Sequence, residues 1–205
     1  MVSRAFDGFF DDAAIFPPGN APLDVAVKAH LSRAATPDGR YVGPFVVDAA
    51  RLPVLNDLGE ESFDLAVVNG AIESRPDGRA IEQPWGTGFE VADGDLLKLR
   101  CGGDYVPTVA ELAEAIRWCV AHDQPFKLTA GLHAAIATEH THGFVNIMAA
   151  VVTAMHDEDP GPVLMAWADE LDLETLGDSR RLFRSIGTCD IDGPLAELRE
   201  LGLIP

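Results

Sequence analysis

Short apolar runs alternate with stretches of helical periodicity, and that alternation predicts an α/β chain of parallel βα repeats. A second observation concerns where the polar and glycine residues fall. Asp48, Arg100-Cys101-Gly102-Gly103, Thr129-Ala130-Gly131 and Gly187-Thr188-Cys189 each follow a strand-like run, where a barrel of parallel strands carries its functional face. The third is length. The chain has 205 residues, whereas a full eight-stranded parallel barrel typically needs about 250. The expectation is a single α/β domain over residues 1–205, a small or incomplete TIM-barrel-like fold. An open doubly wound sheet is the alternative.

Taken in order, a strand is expected near Ala13–Phe16, before Pro17-Pro18-Gly19. A helix follows from about Pro22 to Ala35, with Leu23, Val27 and Leu31 on one face and proline in its first turn. Pro37-Asp38-Gly39 is a turn, Tyr41–Val47 the second strand, and Ala49–Leu58 a short helix interrupted at Pro53. Phe63–Val68 is the third strand. The rhythm then weakens across Ala71–Gly94, where turn signals surround a few apolar residues. A loop that long is functional, contains short strands, or marks a shortened fold.

Asp95–Leu99 restores the strand pattern. Thr108 with Glu111 three residues on forms a capping box for a helix reaching His122. Pro125–Thr129 is a strand, Gly131–His142 a polar loop, and Gly143–His156 a strongly apolar helix. Further helices are expected at Pro162–Leu171 and Pro194–Leu203, with a turn at Asp178–Leu182 and the last strand at Phe183–Thr188.

Composition narrows the partners. The net charge of −18 and a pI near 4.5 argue against nucleic acid or an anionic membrane, both of which require cationic surface. Three cysteines without CxxC spacing suggest a reducing compartment. Met1–Gly8 lacks an apolar signal region and no apolar run approaches about 18 residues, so a cytoplasmic location is expected.

The chemistry centres on two strands that rhyme. Of three lysines, Lys98 and Lys127 sit mid-strand, where lysine is disfavoured and costly to bury. Alternation puts Lys98 and Arg100 on one face, opposite Leu97, Leu99 and Cys101; Lys127 and Thr129 likewise oppose Phe126 and Leu128. Two ammonium groups in one lumen repel, which favours a neutral, nucleophilic amine. The alternatives are an anion clamp completed by Arg100, and structural ion pairs with strand carboxylates. Asp11-Asp12, just before Ala13, is a candidate general acid or an ion-pair partner for the lysines, with a solvated pair as the plain alternative; Asp12 is the one assigned to catalysis with Lys98 and Lys127.

Other residues carry weaker signals. His133, His140 and His142 lie within ten residues, but the segment is loop-like and lacks HExxH spacing, so no metal is assigned and His133 is taken as a ligand contact. Cys101 beside Arg100, and Cys189, both follow strands and are assigned to the pocket, with small buried residues as the plain alternative. Gly102, Gly103 and Gly131 offer backbone N–H groups near a helix start, either an anion nest or tight turns. Neither loop is a dinucleotide or P-loop motif, and no cofactor is expected.

Two resemblances rest on these segments. Phe10–Pro18, Lys98–Gly103, Pro125–His133, His142–Asn146 and the tail from Phe183 to Leu203 resemble a family of uncharacterised bacterial barrel-like proteins. Its members carry Lys-x-Arg-x-Gly-Gly, Pro-Phe-Lys-x-Thr-Ala-Gly-Leu-His-His and a Phe-Gly-Ser-Cys-like ending. This chain has Ala134 where a second histidine is usual, and is much shorter between Val68 and Asp95. The Lys98–Gly131 segment is also similar to deoxyribose-phosphate aldolase-like class I aldolases. That similarity implies a Schiff-base lysine at Lys98 and a second, pKa-lowering lysine at Lys127.

Two functions are therefore expected. One is a small-molecule enzyme, or degenerate enzyme, that binds an anionic or carbonyl substrate at the C-terminal ends of the strands, with lyase or aldolase-like imine chemistry at Lys98 or Lys127. The other is a non-catalytic oligomeric binding or assembly module, because a shortened barrel leaves edges that a second copy would cover. A homo-oligomer is expected on that ground.

Overall fold

The computed structural model describes residues 2–58, 63–86, 88–103 and 105–205. Their strands close into an eight-stranded barrel in sequence order, from β1 (Phe10–Asp12) round to β8 (Phe183–Thr188), which pairs with β1. Between them come β2 (Val42–Asp48), β3 (Leu65–Asn69), β4 (Ile72–Arg75), β5 (Gly78–Glu82), β6 (Leu96–Arg100) and β7 (Phe126–Thr129). The closed barrel excludes the open doubly wound sheet.

The expectation of parallel strands throughout is corrected in one sector. β4 runs antiparallel to both β3 and β5, while the other six pairings are parallel. The Ala71–Gly94 stretch supplies this meander. Pro76 and Asp77 form the tip between β4 and β5, and Gly78 takes φ +131°, a conformation side chains resist. The barrel is thus mixed, and its short middle contains two strands rather than a gap.

Helices cover the rest of the outer wall. They are α1 (Leu23–Ala34), α2 (Leu52–Asp57), α3 (Val109–Ala121), α4 (Phe144–Met155), α5 (Pro160–Val163) and α6 (Asp192–Glu200). Among the described residues no helix lies between β3 and β6. The capping box of α3 is present: Thr108 Oγ1 accepts from Glu111 N–H, and the Glu111 carboxylate accepts from Thr108 N–H at 2.7 Å. α4 is apolar nearly all round and is correspondingly buried against α3, α5 and β8. Its one buried amide, Asn146, is fully used. Oδ1 accepts from Ala137 N–H at 2.8 Å, and Nδ2 donates to the carbonyls of Val163 and Ala166.

Two elements differ from expectation. The first strand is Phe10–Asp12 rather than Ala13–Phe16, because Phe9 and Phe10 are the buried apolar residues and both aspartates find partners inside the fold. The helix expected at Pro162–Leu171 is a single turn, α5. Trp167 is extended and 71% exposed there, so no apolar stripe holds a longer helix to the core.

The apolar core forms two clusters. The larger joins β6, β7 and β8 to α3, α4 and α6. The smaller packs Phe45 and Val47 of β2 and Ile15 against Val27 of α1 and Leu55 of α2. No helix among the described residues is long and apolar enough to cross a membrane.

Candidate active site at the mouth of the barrel

Alternation along each strand decides what enters the lumen. On β6, Lys98 and Arg100 turn inward while Leu97, Leu99 and Cys101 pack against the helices, as expected. On β7, Lys127 and Thr129 turn inward. Lys98 and Lys127 are register partners, so their side chains rise together into the same layer.

They do not meet there as bare cations. Glu73 of β4 bridges them: Oε1 lies 2.5 Å from Lys127 Nζ and Oε2 lies 2.9 Å from Lys98 Nζ. Lys127 also reaches Asp11 Oδ2 at 2.6 Å, and Lys98 reaches Glu82 Oε2 at 3.3 Å. Arg75 joins Asp11 at 2.6 Å and Glu73 at 2.9 Å, and Ser185 Oγ donates to Asp11 at 2.8 Å. The three cations Arg75, Lys98 and Lys127 therefore meet three inner carboxylates, Asp11, Glu73 and Glu82, and Arg75 also reaches the more exposed Asp77 at 2.9 Å. Of the readings open for the lysines, pairing with strand carboxylates is the arrangement found, and the pocket is not the cationic well that its lysines suggest in isolation.

The environment shifts several of these groups. Burial works against ionisation of Glu73, but attraction and hydrogen bonds from Lys127 and Lys98 outweigh it and hold the carboxyl well below the usual range. Burial also works against the Arg75 guanidinium, which Asp11, Glu73 and Asp77 nevertheless hold above its ordinary value.

Above this layer a cavity of about 670 Å³ opens at the C-terminal ends of the parallel strands. Lys98, Lys127, Glu73 and Glu82 contribute to its lining, with Arg100, Gly103, Thr129, Gly131, His133, Gly187 and Cys189 around them. Arg100 is exposed at the rim, and among the described residues no carboxylate lies within ion-pair distance of it. The cavity collects eight of the eleven residues assigned from sequence.

The other three lie elsewhere. Asp12 points outward to α1, where His30 Nδ1 stands 3.0 Å and Arg33 3.7 Å from its carboxylate. Asp11, its neighbour, is the aspartate that meets Lys127. Cys101 faces the helices in the apolar core rather than the pocket, and burial pushes its thiol up despite the neighbouring Arg100. Gly102 serves packing: a Cβ there would stand 2.7 Å from Gly131 Cα. The same contact explains Gly131, whose φ is +71° and whose added Cβ would lie 2.5 Å from the Cys101 carbonyl. The two glycine loops let adjacent backbones touch.

The histidines do not converge. His133 lies in the cavity, His140 is exposed, and His142 Nε2 donates to the Pro107 carbonyl at 2.7 Å. Among the described residues no group of three His, Cys, Asp or Glu side chains is placed to hold a metal.

Sequence reasoning missed Glu73, Arg75, Glu82 and Ser185. Glu73 and Arg75 alternate with Ile72 and Ser74 in the segment where strand signals were weakest. Two mid-strand lysines that must be buried imply carboxylates on facing strands, and that requirement was the available signal. No family model, curated protein or solved structure matches the chain.

Proposed function

We propose that the chain is a small-molecule enzyme that binds an anionic carbonyl compound in the mouth of the barrel and forms an imine with it at Lys98. The observation that carries this reading is the flanking of the Lys98 amine, at the cavity, by Glu73 at 2.9 Å and Glu82 at 3.3 Å. An amine between two carboxylates has a proton acceptor in reach before attack and a donor afterwards. Nitrogen attacks the carbonyl carbon, its two protons pass in turn by way of Glu82 to the carbonyl oxygen, and that oxygen leaves as water as the C=N bond forms. Glu82, the less buried of the two carboxylates, is the residue that exchanges protons with the cavity. Arg100 at the rim receives the substrate's carboxylate or phosphate. Lys127, enclosed by Asp11 and Glu73, keeps Glu73 in place. The similarity of this segment to the aldolases named above supports the same assignment.

The assembly reading rested on open strand edges. The closed barrel has none, so that ground for a homo-oligomer falls away.

The test is reductive trapping. The intact protein is incubated with aldehydes and keto acids, reduced with borohydride and weighed by mass spectrometry. A substrate-sized adduct is expected in the wild type and in Lys127→Ala, and none in Lys98→Ala. No adduct with any carbonyl compound, or one that survives Lys98→Ala, would refute the reading.

A further inference from the structure

A second reactive pair lines the same cavity, formed by the loops after two adjacent strands. Cys189 directly follows β8, and His133 follows β7 by four residues. Cys189 Sγ stands 4.0 Å from His133 Nε2, and both side chains line the cavity. We infer that Cys189 is a nucleophilic thiol that adds to an electrophilic carbonyl carbon, with His133 Nε2 as its proton acceptor.

The hydrogen-bond pattern selects the required tautomer. His133 Nδ1 lies 3.1 Å from Thr188 Oγ1. The Thr188 hydroxyl has a single hydrogen, and it is donated to the Asp190 carbonyl at 2.8 Å. Thr188 therefore accepts from His133, so Nδ1 carries the ring hydrogen. The lone pair of the neutral ring is then on Nε2, which faces the thiol. Thr188 is 2% exposed and receives Asp190 N–H at 3.3 Å, so this positioning residue is itself held from two sides. The arrangement is that of a nucleophile, a base, and a third group that orients the base.

The base of the Cys189 side chain is closely packed. Gly19 packs so closely that a Cβ there would stand 2.9 Å from Cys189 Cβ. Cys189 is partly exposed, unlike the other two cysteines. Burial pushes the thiol of Cys119 up to about 12 and that of Cys101 higher still, so both are inert internal controls.

The step balances without a co-reactant. The S–H proton moves to His133 Nε2, the S–C bond forms, and the carbonyl π pair moves to oxygen. That oxygen then takes the proton from Nε2, which leaves a hemithioacetal and a neutral imidazole. The inference uses the same cavity as the imine reading but does not require Lys98.

The experiment is alkylation of the intact protein by iodoacetamide at one neutral pH, with the labelled cysteine located by peptide mass mapping. Labelling of Cys189 is expected to outpace that of Cys101, Cys119 and free glutathione, and an added aldehyde is expected to slow it. His133→Phe is expected to lower the rate by at least about ten-fold. Added imidazole is expected to restore part of the rate in His133→Ala. Thr188→Val should slow labelling in a variant that still melts cooperatively, and Thr188→Ser should recover it. A Cys189 that reacts no faster than glutathione, or a rate indifferent to His133→Phe in a variant that still melts cooperatively, would overturn the inference. If borohydride trapping fails while His133-dependent alkylation persists, only the imine reading falls.

Discussion

Glu73 Oε1 stands 2.5 Å from Lys127 Nζ, although 54 residues separate them, and both side chains are about 1% exposed. This contact ties the antiparallel strand β4 to the parallel strand β7 through the barrel interior. The same carboxylate holds Lys98 and Arg75, which makes it the hub of the buried charges.

Removing the hub leaves buried cations uncompensated. Glu73→Ala is expected to destabilise the fold by about 3–5 kcal/mol, read by denaturant unfolding. Adding Lys127→Met in the same chain should return part of that loss. A single-variant change below about 1 kcal/mol would mean that water already screens the network.

Acid should weaken the fold through the same group. The folded carboxyl of Glu73 lies below its unfolded value of about 4.5, so the unfolded chain takes up the proton first as pH falls. The stability contributed by Glu73 is present above about pH 4.5 and is lost below it. Melting temperature followed from neutral to acid pH should fall more steeply in the wild type than in Glu73→Gln. Equal slopes would remove Glu73 from the account.

Arg100 should govern anion affinity, because the lysines beneath it are already paired. A keto acid that binds the folded chain at 100 times its Kd raises stability by about 2.7 kcal/mol. That shift should shrink in Arg100→Ala and persist for uncharged aldehydes. An unchanged shift in Arg100→Ala would place the anion elsewhere.

Gly131→Ala combines a positive φ with a Cβ 2.5 Å from a carbonyl oxygen. A loss of at least about 2 kcal/mol is expected in urea unfolding. Gly103→Ala, whose nearest neighbour would be the Arg100 side chain at 3.9 Å, should lose less.

Thr108→Ala removes the side-chain cap of α3 and should destabilise by about 1 kcal/mol, with little effect on any ligand-induced shift. A large loss of ligand binding in this variant would point to a role beyond capping.

Much of the barrel was readable from local pattern. The inward faces of β6 and β7 followed from two lysines alternating with leucine and phenylalanine, and the start of α3 from Thr108 and Glu111. Short strands were one of the readings open for Ala71–Gly94, but their antiparallel pairing was not readable, because β4 and β5 are short, only partly covered, and carry charge on the lumen face. Asp12 was assigned where Asp11 meets the lysines, and adjacent residues of a strand face opposite sides. The true start of β1 decides that side, and it lies three residues before the expected one. His133 and Cys189 were each visible, but 56 residues separate them, and their pairing depends on β7 and β8 being neighbours.

The antiparallel strand also explains how a chain this short closes its barrel. A helical crossover between parallel strands takes a dozen or more residues, whereas β4 brings the chain back from mouth to base within Ile72–Arg75. Among the described residues no helix backs that sector, and Ile72 is 43% exposed. Glu73 sits on this helix-free part of the wall, while the strand of Lys127 packs its apolar face with α3 and α4. The amides of β4 and β5 should exchange with deuterium well before those of β7. Exchange in β4 and β5 no faster than in β7 would mean that this helix-free wall holds as firmly as the helix-backed one.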